Sequence, residues 1–296
     1  MSRGNYLGLL HLIVLIFGFT GILGKEITLG AVPLVWFRTL IAAITLLVFM
    51  AYRKKEFKIS KLKVLRYAGV GILIAAHWIT FFESIKVSTV SVALATMASV
   101  SLFVALFEPI VTKKKLVFYE ILLGAVVVIG LIMIFSFETQ YTLGITLALI
   151  SAALAAIFST LNSVLIKQGD SLRIGFYELL FGFISVGIYL FFTGDMGLEL
   201  FDVSIRDTVL LLLLGTVATA FAFVIGVEVM KELSPFTVAL TINLEPVYSI
   251  VLALLIYGDD EKMTGGFYLG ALIILSTLFV NAFLKRKERK HQRAFK

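Results

Sequence analysis

Ten apolar stretches of near-equal length divide this chain of 296 residues, and they leave it few ways to fold. They lie near 5–24, 33–52, 66–85, 88–110, 116–136, 142–166, 174–193, 208–230, 235–256 and 264–284. Each is close to the roughly 20 residues that cross a bilayer as a helix. In hydrocarbon every backbone N–H and C=O has to be bonded inside the protein, so such stretches are expected to be helical. Composition agrees: 60% of residues are hydrophobic and 15% charged, against about 45–50% and about 25% in soluble domains. A water-soluble core of this size cannot absorb that excess, so lipid is expected to cover part of the surface. The first stretch is too long for a signal-peptide core and no small-residue cleavage pattern follows it, so it reads as a retained span.

The stretches fall into two copies of one pattern. An offset of 146 places Ser88 on Ser234, Val92, Ala93 and Leu94 on Val238, Ala239 and Leu240, and Leu123, Gly124 and Ala125 on Leu269, Gly270 and Ala271. Between these matches lies a connecting turn. It is basic in the first copy (Lys113, Lys114, Lys115) and acidic in the second (Asp259, Asp260, Glu261). Lys and Arg in short loops favour the cytoplasmic side, whereas acidic residues matter little for orientation. The two copies are therefore expected to cross the membrane in opposite senses, an arrangement used by secondary transporters. Five spans per copy is an odd number, which demands the same inversion. The first two spans of each copy match more weakly at an offset of 140. There Arg38, Ala42, Thr45 and Phe49 fall on Glu178, Gly182, Ser185 and Tyr189, each set on one helical face.

Counting by loop, one side receives 21 Lys and Arg residues and the other 4, with Arg38 inside a span. This predicts both termini in the cytoplasm. The expected fold is thus an all-α integral membrane protein with ten transmembrane helices as two inverted five-helix repeats, 1–138 and 139–284, and a basic cytoplasmic tail, 285–296. The basic 53–66 segment is read as a loop. Both it and the tail are suited to anionic lipid, although orientation alone accounts for them.

A charge at the bilayer centre costs roughly 2.5–3.5 kcal/mol on translocon scales, so polar groups inside spans are candidate sites. Glu245 is the foremost. It lies mid-span directly before Pro246, and proline both removes a donor and disfavours helix in the residue before it. A kink there would free carbonyls beside the carboxylate. Thr241, Tyr248 and Ser249 share the Glu245 face by helical spacing. The group reads either as a proton or substrate-amine site or as a protonated carboxyl bonded to a neighbouring helix. Its repeat partner is Ser99, with Thr96 a turn away. Arg38 and Glu178 read as binding groups for a substrate's carboxylate and amine, as gates, or as side chains that pair with loop charges or snorkel to the interface. His77 could relay protons or serve as a hydrogen-bonded packing residue. Trp78 is expected to point elsewhere, into packing or lipid. Asn162 and Asn243 read first as interhelical hydrogen-bond partners, with Asn243 retained as a candidate binding residue. Glu83, Glu108 and Glu228 lie toward helix ends and read mainly as interfacial. Glu108 precedes Pro109 as Glu245 precedes Pro246 and could form a gate. Gly18, Gly21 and Gly24, and Gly266 with Gly270, are expected to mark close helix contacts.

The chain lacks cysteine and has three histidines, so disulfides, Cys nucleophiles and a metal site are not expected. HExxH, GxSxG, GxxxxGK[ST] and GxGxxG patterns are missing. No enzymatic activity, catalytic residue or cofactor is expected, nor a nucleic-acid partner, since the basic residues cluster at the ends of apolar runs.

With Phe17, Gly18, Phe19, Thr20 and Gly21 leading to Lys25, then Pro33, Leu34, Val35, Trp36, Phe37 and Arg38, the first copy resembles the EamA family of the drug/metabolite transporter superfamily. The second resembles it through Leu244, Glu245, Pro246, Val247 and Tyr248, the acidic turn ending in Glu261, and Leu269 to Ile273. The resemblance covers nearly the whole chain. It implies gradient-driven or exchange transport of small metabolites, often efflux of amino acids or related solutes, through a central cavity lined by spans 1–4 and 6–9, with spans 5 and 10 peripheral. Three departures stand out. Val100 occupies a frequent proline position, which should weaken a symmetric kink. Phe17 replaces a frequent Trp, and the three lysines replace a Gly-Glu turn. The expected function is alternating-access transport of a small-molecule substrate in the bacterial inner membrane, with protons as the candidate coupling ion and a monomer or homodimer as the assembly. A non-transporting sensor or scaffold and a passive channel are the alternatives.

Overall fold

The computed structural model describes residues 3–113, 115 and 117–294. Lys114 of the basic turn and the last two residues of the tail lie outside the described residues. The first copy comprises α1 (Arg3–Gly18), α2 (Thr20–Glu26), α3 (Ala31–Tyr52), α4 (Lys61–Val87), α5 (Val90–Met97), α6 (Val100–Thr112) and α7 (Phe118–Phe137). The second comprises α8 (Thr142–Leu165), α9 (Ser171–Thr193), α10 (Ile205–Gly215), a π-helical turn (Thr216–Phe221), α11 (Ala222–Val229), α12 (Pro235–Ile242), α13 (Glu245–Tyr257) and α14 (Gly265–Ala294). Among the described residues there is no strand. Nine helices or helix pairs there are long and apolar enough to cross a membrane, and the apolar part of α14, Gly265–Asn281, is shorter. Large apolar side chains remain exposed around the bundle, among them Ile72, Ile110, Ile132, Phe192, Leu255 and Leu272. That is the surface lipid covers.

Two expectations about boundaries change. The 53–66 segment is not all loop, because α4 begins at Lys61. The tail continues α14 as helix to Ala294, as its run of Lys, Arg and Glu, all good helix formers, allows.

The copies meet antiparallel. The end of α7 lies on the start of α14: Glu138 accepts from the Thr264 N–H at 2.9 Å and from its hydroxyl at 2.7 Å. The end of α3 reaches the start of α9, where Lys55 pairs with Asp170 at 2.8 Å. The spans α5–α6 and α12–α13 are likewise bonded end to opposite end. Equivalent spans therefore run in opposite directions, as the loop charges require.

Glycines set the closest crossings. Gly71 of α4 faces the α9 backbone, where an added Cβ would clash with the Glu178 carbonyl and sit 3.0 Å from the Gly182 nitrogen. Gly130 and Gly270 meet in the same way between α7 and α14. Gly18, Gly21 and Gly24 pack against Tyr248 and Ser249, against Val90 and Leu94, and against Phe82, respectively. With Gly266, which packs against the Phe137 ring, these contacts account for all five glycines singled out from spacing.

Two outcomes follow. Gly71→Ala over-packs the α4/α9 crossing and should destabilise by about 1–3 kcal/mol, whereas Gly69→Ala, whose Cβ meets nothing within 4 Å, should be near neutral; thermal unfolding in detergent separates them. Asp170 caps α9 through the Arg173 N–H. Burial alone would push its carboxyl up, but Lys55 and the Arg173 N–H outweigh this and hold it below the usual carboxylate range. Its contribution is therefore full above the ordinary carboxylate pKa and is lost as the pH falls through the lowered value. Asp170→Asn should flatten that acid limb in a pH series of melting temperatures.

Candidate functional site

Three spans break in mid-membrane, and the breaks converge. In the second copy Pro246 has no N–H to donate and disfavours helix at Glu245, and α12 and α13 part at Asn243 and Leu244. In the first copy Val100 replaces proline, yet α5 and α6 part at Ala98 and Ser99, within one residue of the equivalent place. The expected weakening of symmetry is therefore not observed. The freed carbonyl of Ala98 accepts from Asn243 Nδ2 at 2.9 Å, and Ser101 Oγ donates to it at 3.2 Å. One copy thus holds open the break of the other. The third break, at Phe19 between α1 and α2, frees the Gly18 carbonyl, which accepts from Ser249 Oγ at 2.6 Å.

A cavity of about 150 Å³ lies where these breaks meet. Its polar wall is Thr20, Arg38, His77, Ser159, Asn162, Asn243 and Glu245; its apolar wall includes Phe17, Trp78, Phe81, Met97, Phe158 and Phe223. Spans 1–4, 6, 8 and 9 contribute, while α7 and α14 do not, as the resemblance implies. Span 7 contributes nothing to the wall either, which departs from that expectation. Its helix, α9, packs instead behind α3 and α4.

Arg38 does not snorkel. It is 2% exposed, its Nε donates to Thr219 Oγ1 at 2.6 Å, and its guanidinium lies 3.9 Å from the Trp78 ring centroid. The π-helical turn makes this possible. Thr219 donates its own hydroxyl to the Leu214 carbonyl five residues back at 2.6 Å, which leaves its oxygen free to accept from Arg38. Trp78 is therefore on the cavity wall, not turned away toward lipid, because the guanidinium stacks on its face. Neither Thr219 nor the π turn was legible, since a single in-span threonine carries no signal of widened helix geometry.

His77 bonds through Nδ1 to the Ser151 carbonyl at 3.0 Å, and Ser151 Oγ donates to the His77 carbonyl at 2.8 Å. Ser151 Oγ also lies 2.8 Å from Nδ1, so Ser151 engages that nitrogen through both its carbonyl and its hydroxyl, and these contacts leave Nε2 uncommitted. Glu245 has a distant donor in Thr20 Oγ1, at 3.5 Å. Among the described residues no ion pair joins Arg38 to Glu245, so a guanidinium and a carboxyl line one cavity without bonding each other directly.

Glu178, Thr96, Ser99 and Tyr248 are not on the wall. Glu178 is fully buried and touches the cavity only through Asn162, whose Nδ2 donates to it at 3.0 Å. Thr96 and Ser99 are fully buried, and among the described residues their hydroxyls have no hydrogen-bond partner. Tyr248 is 39% exposed. Helical spacing carried from Glu245 misplaces Thr241, because the break at Asn243 and Leu244 interrupts the period.

Comparison with known proteins fits this geometry. None of the curated proteins matches the chain. Among solved structures it is similar to one described as a crystal structure of a protein, with a TM-score of 0.71 and 14% sequence identity over 97% of this chain and 99% of that one. That likeness concerns the fold. The model of the EamA-like transporter family matches twice, over residues 5–136 and 142–283. With two matches spanning both antiparallel copies, the chain is an integral membrane protein that belongs to the EamA-like transporter family, whose members are membrane transporters of the drug/metabolite type.

Proposed function

We propose that this chain is a ten-span secondary transporter of small amino-acid-like solutes, working by alternating access in the efflux direction with protons as the coupling ion. The observation that carries this reading is the guanidinium of Arg38 and the carboxyl of Glu245 on the wall of one cavity that is otherwise lined by neutral polar, aromatic and apolar side chains. A zwitterion offers a carboxylate to the guanidinium and an ammonium to the carboxylate, and the apolar wall accommodates the rest. Arg38 is suited to bidentate recognition, and Thr219 and Trp78 hold it in position. Glu245 takes the solute's ammonium or, in its absence, a proton. His77 presents a second polar edge, and Asn243 pins the two broken spans together. Glu178 acts at one remove through Asn162, with Thr96, Ser99 and Tyr248 supporting the broken spans.

The tenth span in this reading is the Gly265–Asn281 part of α14, and the repeats are 1–138 and 139–284 with the tail 285–296. The basic loops place both termini in the cytoplasm, and the membrane is the bacterial inner membrane. The cavity then extends from the helix breaks toward the cytoplasmic end, where Met230 and Val238 complete its wall.

The reading is tested in proteoliposomes with an imposed pH gradient and a labelled amino acid. Wild-type protein should accumulate solute against its gradient; no flux would mark a sensor or scaffold, and equilibration without accumulation a passive channel. Glu245→Gln should abolish accumulation and flatten the pH dependence, and full activity with an unchanged pH profile would remove Glu245 from the mechanism. Thr219→Val should weaken transport roughly tenfold by releasing a charge-assisted hydrogen bond, mainly through KM, while Thr219→Ser should retain it.

A further inference from the structure

Two carboxylates outside the cavity do the same job on equivalent backbone amides. The amide of Val90, at the start of α5, donates to Glu261 Oε1 at 3.0 Å. Its repeat equivalent at an offset of 146, the amide of Phe236 at the start of α12, donates to Glu108 Oε2 at 3.1 Å. Glu261 follows α13, the second half of the broken span in the second copy. Glu108 lies in α6, the second half of the broken span in the first. Each copy thus ties down the entry of the other's broken helix.

The carboxylates themselves do not come from equivalent positions. The residue matching Glu261 in the first copy is Lys115, which cannot accept a hydrogen bond. Glu108 stands seven residues earlier, inside α6, which ends at Thr112. The bond to the amide persists although the residue that accepts it has changed place, which indicates that the tie itself is used.

The two ends differ in what surrounds the tie. At the Glu261 end the carboxylate is fully buried and also accepts from the Ser91 amide at 2.9 Å. Lys25 of α2 pairs with it at 2.9 Å and lies 3.9 Å from the Tyr257 ring centroid. Tyr257 donates to Glu26 at 2.8 Å, Glu26 pairs with Arg206, and the Lys86 ammonium donates to the Ile27 carbonyl at 3.1 Å. These contacts join α2, α4, α5, α10 and the turn after α13 across one end of the bundle. The cavity reaches the other end, with Asn162, Met230 and Val238 on its wall.

We propose that Glu261, charge-paired to Lys25 and bonded to the amides of Val90 and Ser91, is the latch that seals the cavity on the side away from the basic loops. Releasing it frees α5 and α2 to part and exposes the cavity there. Glu261 acts by positioning these helices and does not touch solute. Glu108 holds α12 in the matching place on the opposite side. This deepens the alternating-access reading and rests on it.

The chain has no cysteine, so a single Ala155→Cys on the cavity wall reports access in membrane vesicles of defined orientation. A membrane-impermeant maleimide should label it readily from the basic side and slowly from the Glu261 side. Glu261→Ala should raise the rate from the Glu261 side roughly tenfold, the scale of a lost charge-assisted bond, and Glu261→Gln should raise it less. Lys25→Met, which leaves the helix-capping carboxylate in place, should give the same one-sided rise if Glu261→Ala yields too little folded protein. Glu108→Ala should leave the rate from that side at the wild-type value. An unchanged rate in both Glu261→Ala and Lys25→Met, or an equal rise from both sides, would overturn the latch. Solute flux by the Ala155→Cys parent in the same vesicles reads the transport function separately, so a failed latch and a failed transporter give different results.

Discussion

Hydrocarbon offers no partner to a freed backbone amide or carbonyl, and the rest of this structure depends on how the chain meets that constraint. An unbroken span satisfies itself, but it presents only side chains to a solute. Spans 1, 4 and 9 break, and the breaks of spans 1 and 4 and the helix entries of spans 4 and 9 leave groups that are bonded from elsewhere. Ser249 takes the Gly18 carbonyl, Asn243 the Ala98 carbonyl, Glu261 the amides of Val90 and Ser91, and Glu108 that of Phe236. Every one of these partners belongs to the opposite copy. The antiparallel repeats are thus a means of placing acceptors and donors where an interrupted helix needs them.

Arg38 follows the same logic in side-chain form. A guanidinium within a bilayer-spanning bundle survives by having its donors and its faces occupied. Thr219 occupies Nε and Trp78 covers one face. A π-helical turn supplies Thr219 at the correct height, and such single widened turns recur at functional places in helices. Just before the π turn, Gly215 packs against the Ile41 side chain and the Arg38 carbonyl, so α10 and α3 approach closely beside the guanidinium. The cation is held by the geometry of its surroundings as much as by any single bond.

Much of this was legible in the sequence, because it rests on periodicity and charge. The apolar runs mark the helices within a few residues, and the basic and acidic turns foretell antiparallel copies. Glu245, Arg38, His77 and Asn243 stand out as polar residues in apolar runs, and the structure places all four on one wall. What was not legible depends on distant partners. The break at Ala98 has no proline to announce it and exists through Asn243, 145 residues away. Thr241 was placed by a helical period that the Asn243 break interrupts, and Tyr248, though in the same helix as Glu245, is partly exposed and off the wall. Trp78 reads as a packing aromatic until a guanidinium is known to lie over it. Glu108 and Glu261 lie at helix ends, where sequence offers an interfacial role that fits equally well.

The reciprocal ties also bear on how the polypeptide is made. Val90 and Ser91 leave the ribosome 171 and 170 residues ahead of the carboxylate that will cap them. At about 5–20 residues per second, that interval is roughly 10 to 30 s. Throughout it the nascent first copy has an uncapped helix entry at the start of α5. Neither copy is a finished membrane object alone, and closure of the bundle is a late event that awaits the arrival of the ninth span's terminal turn.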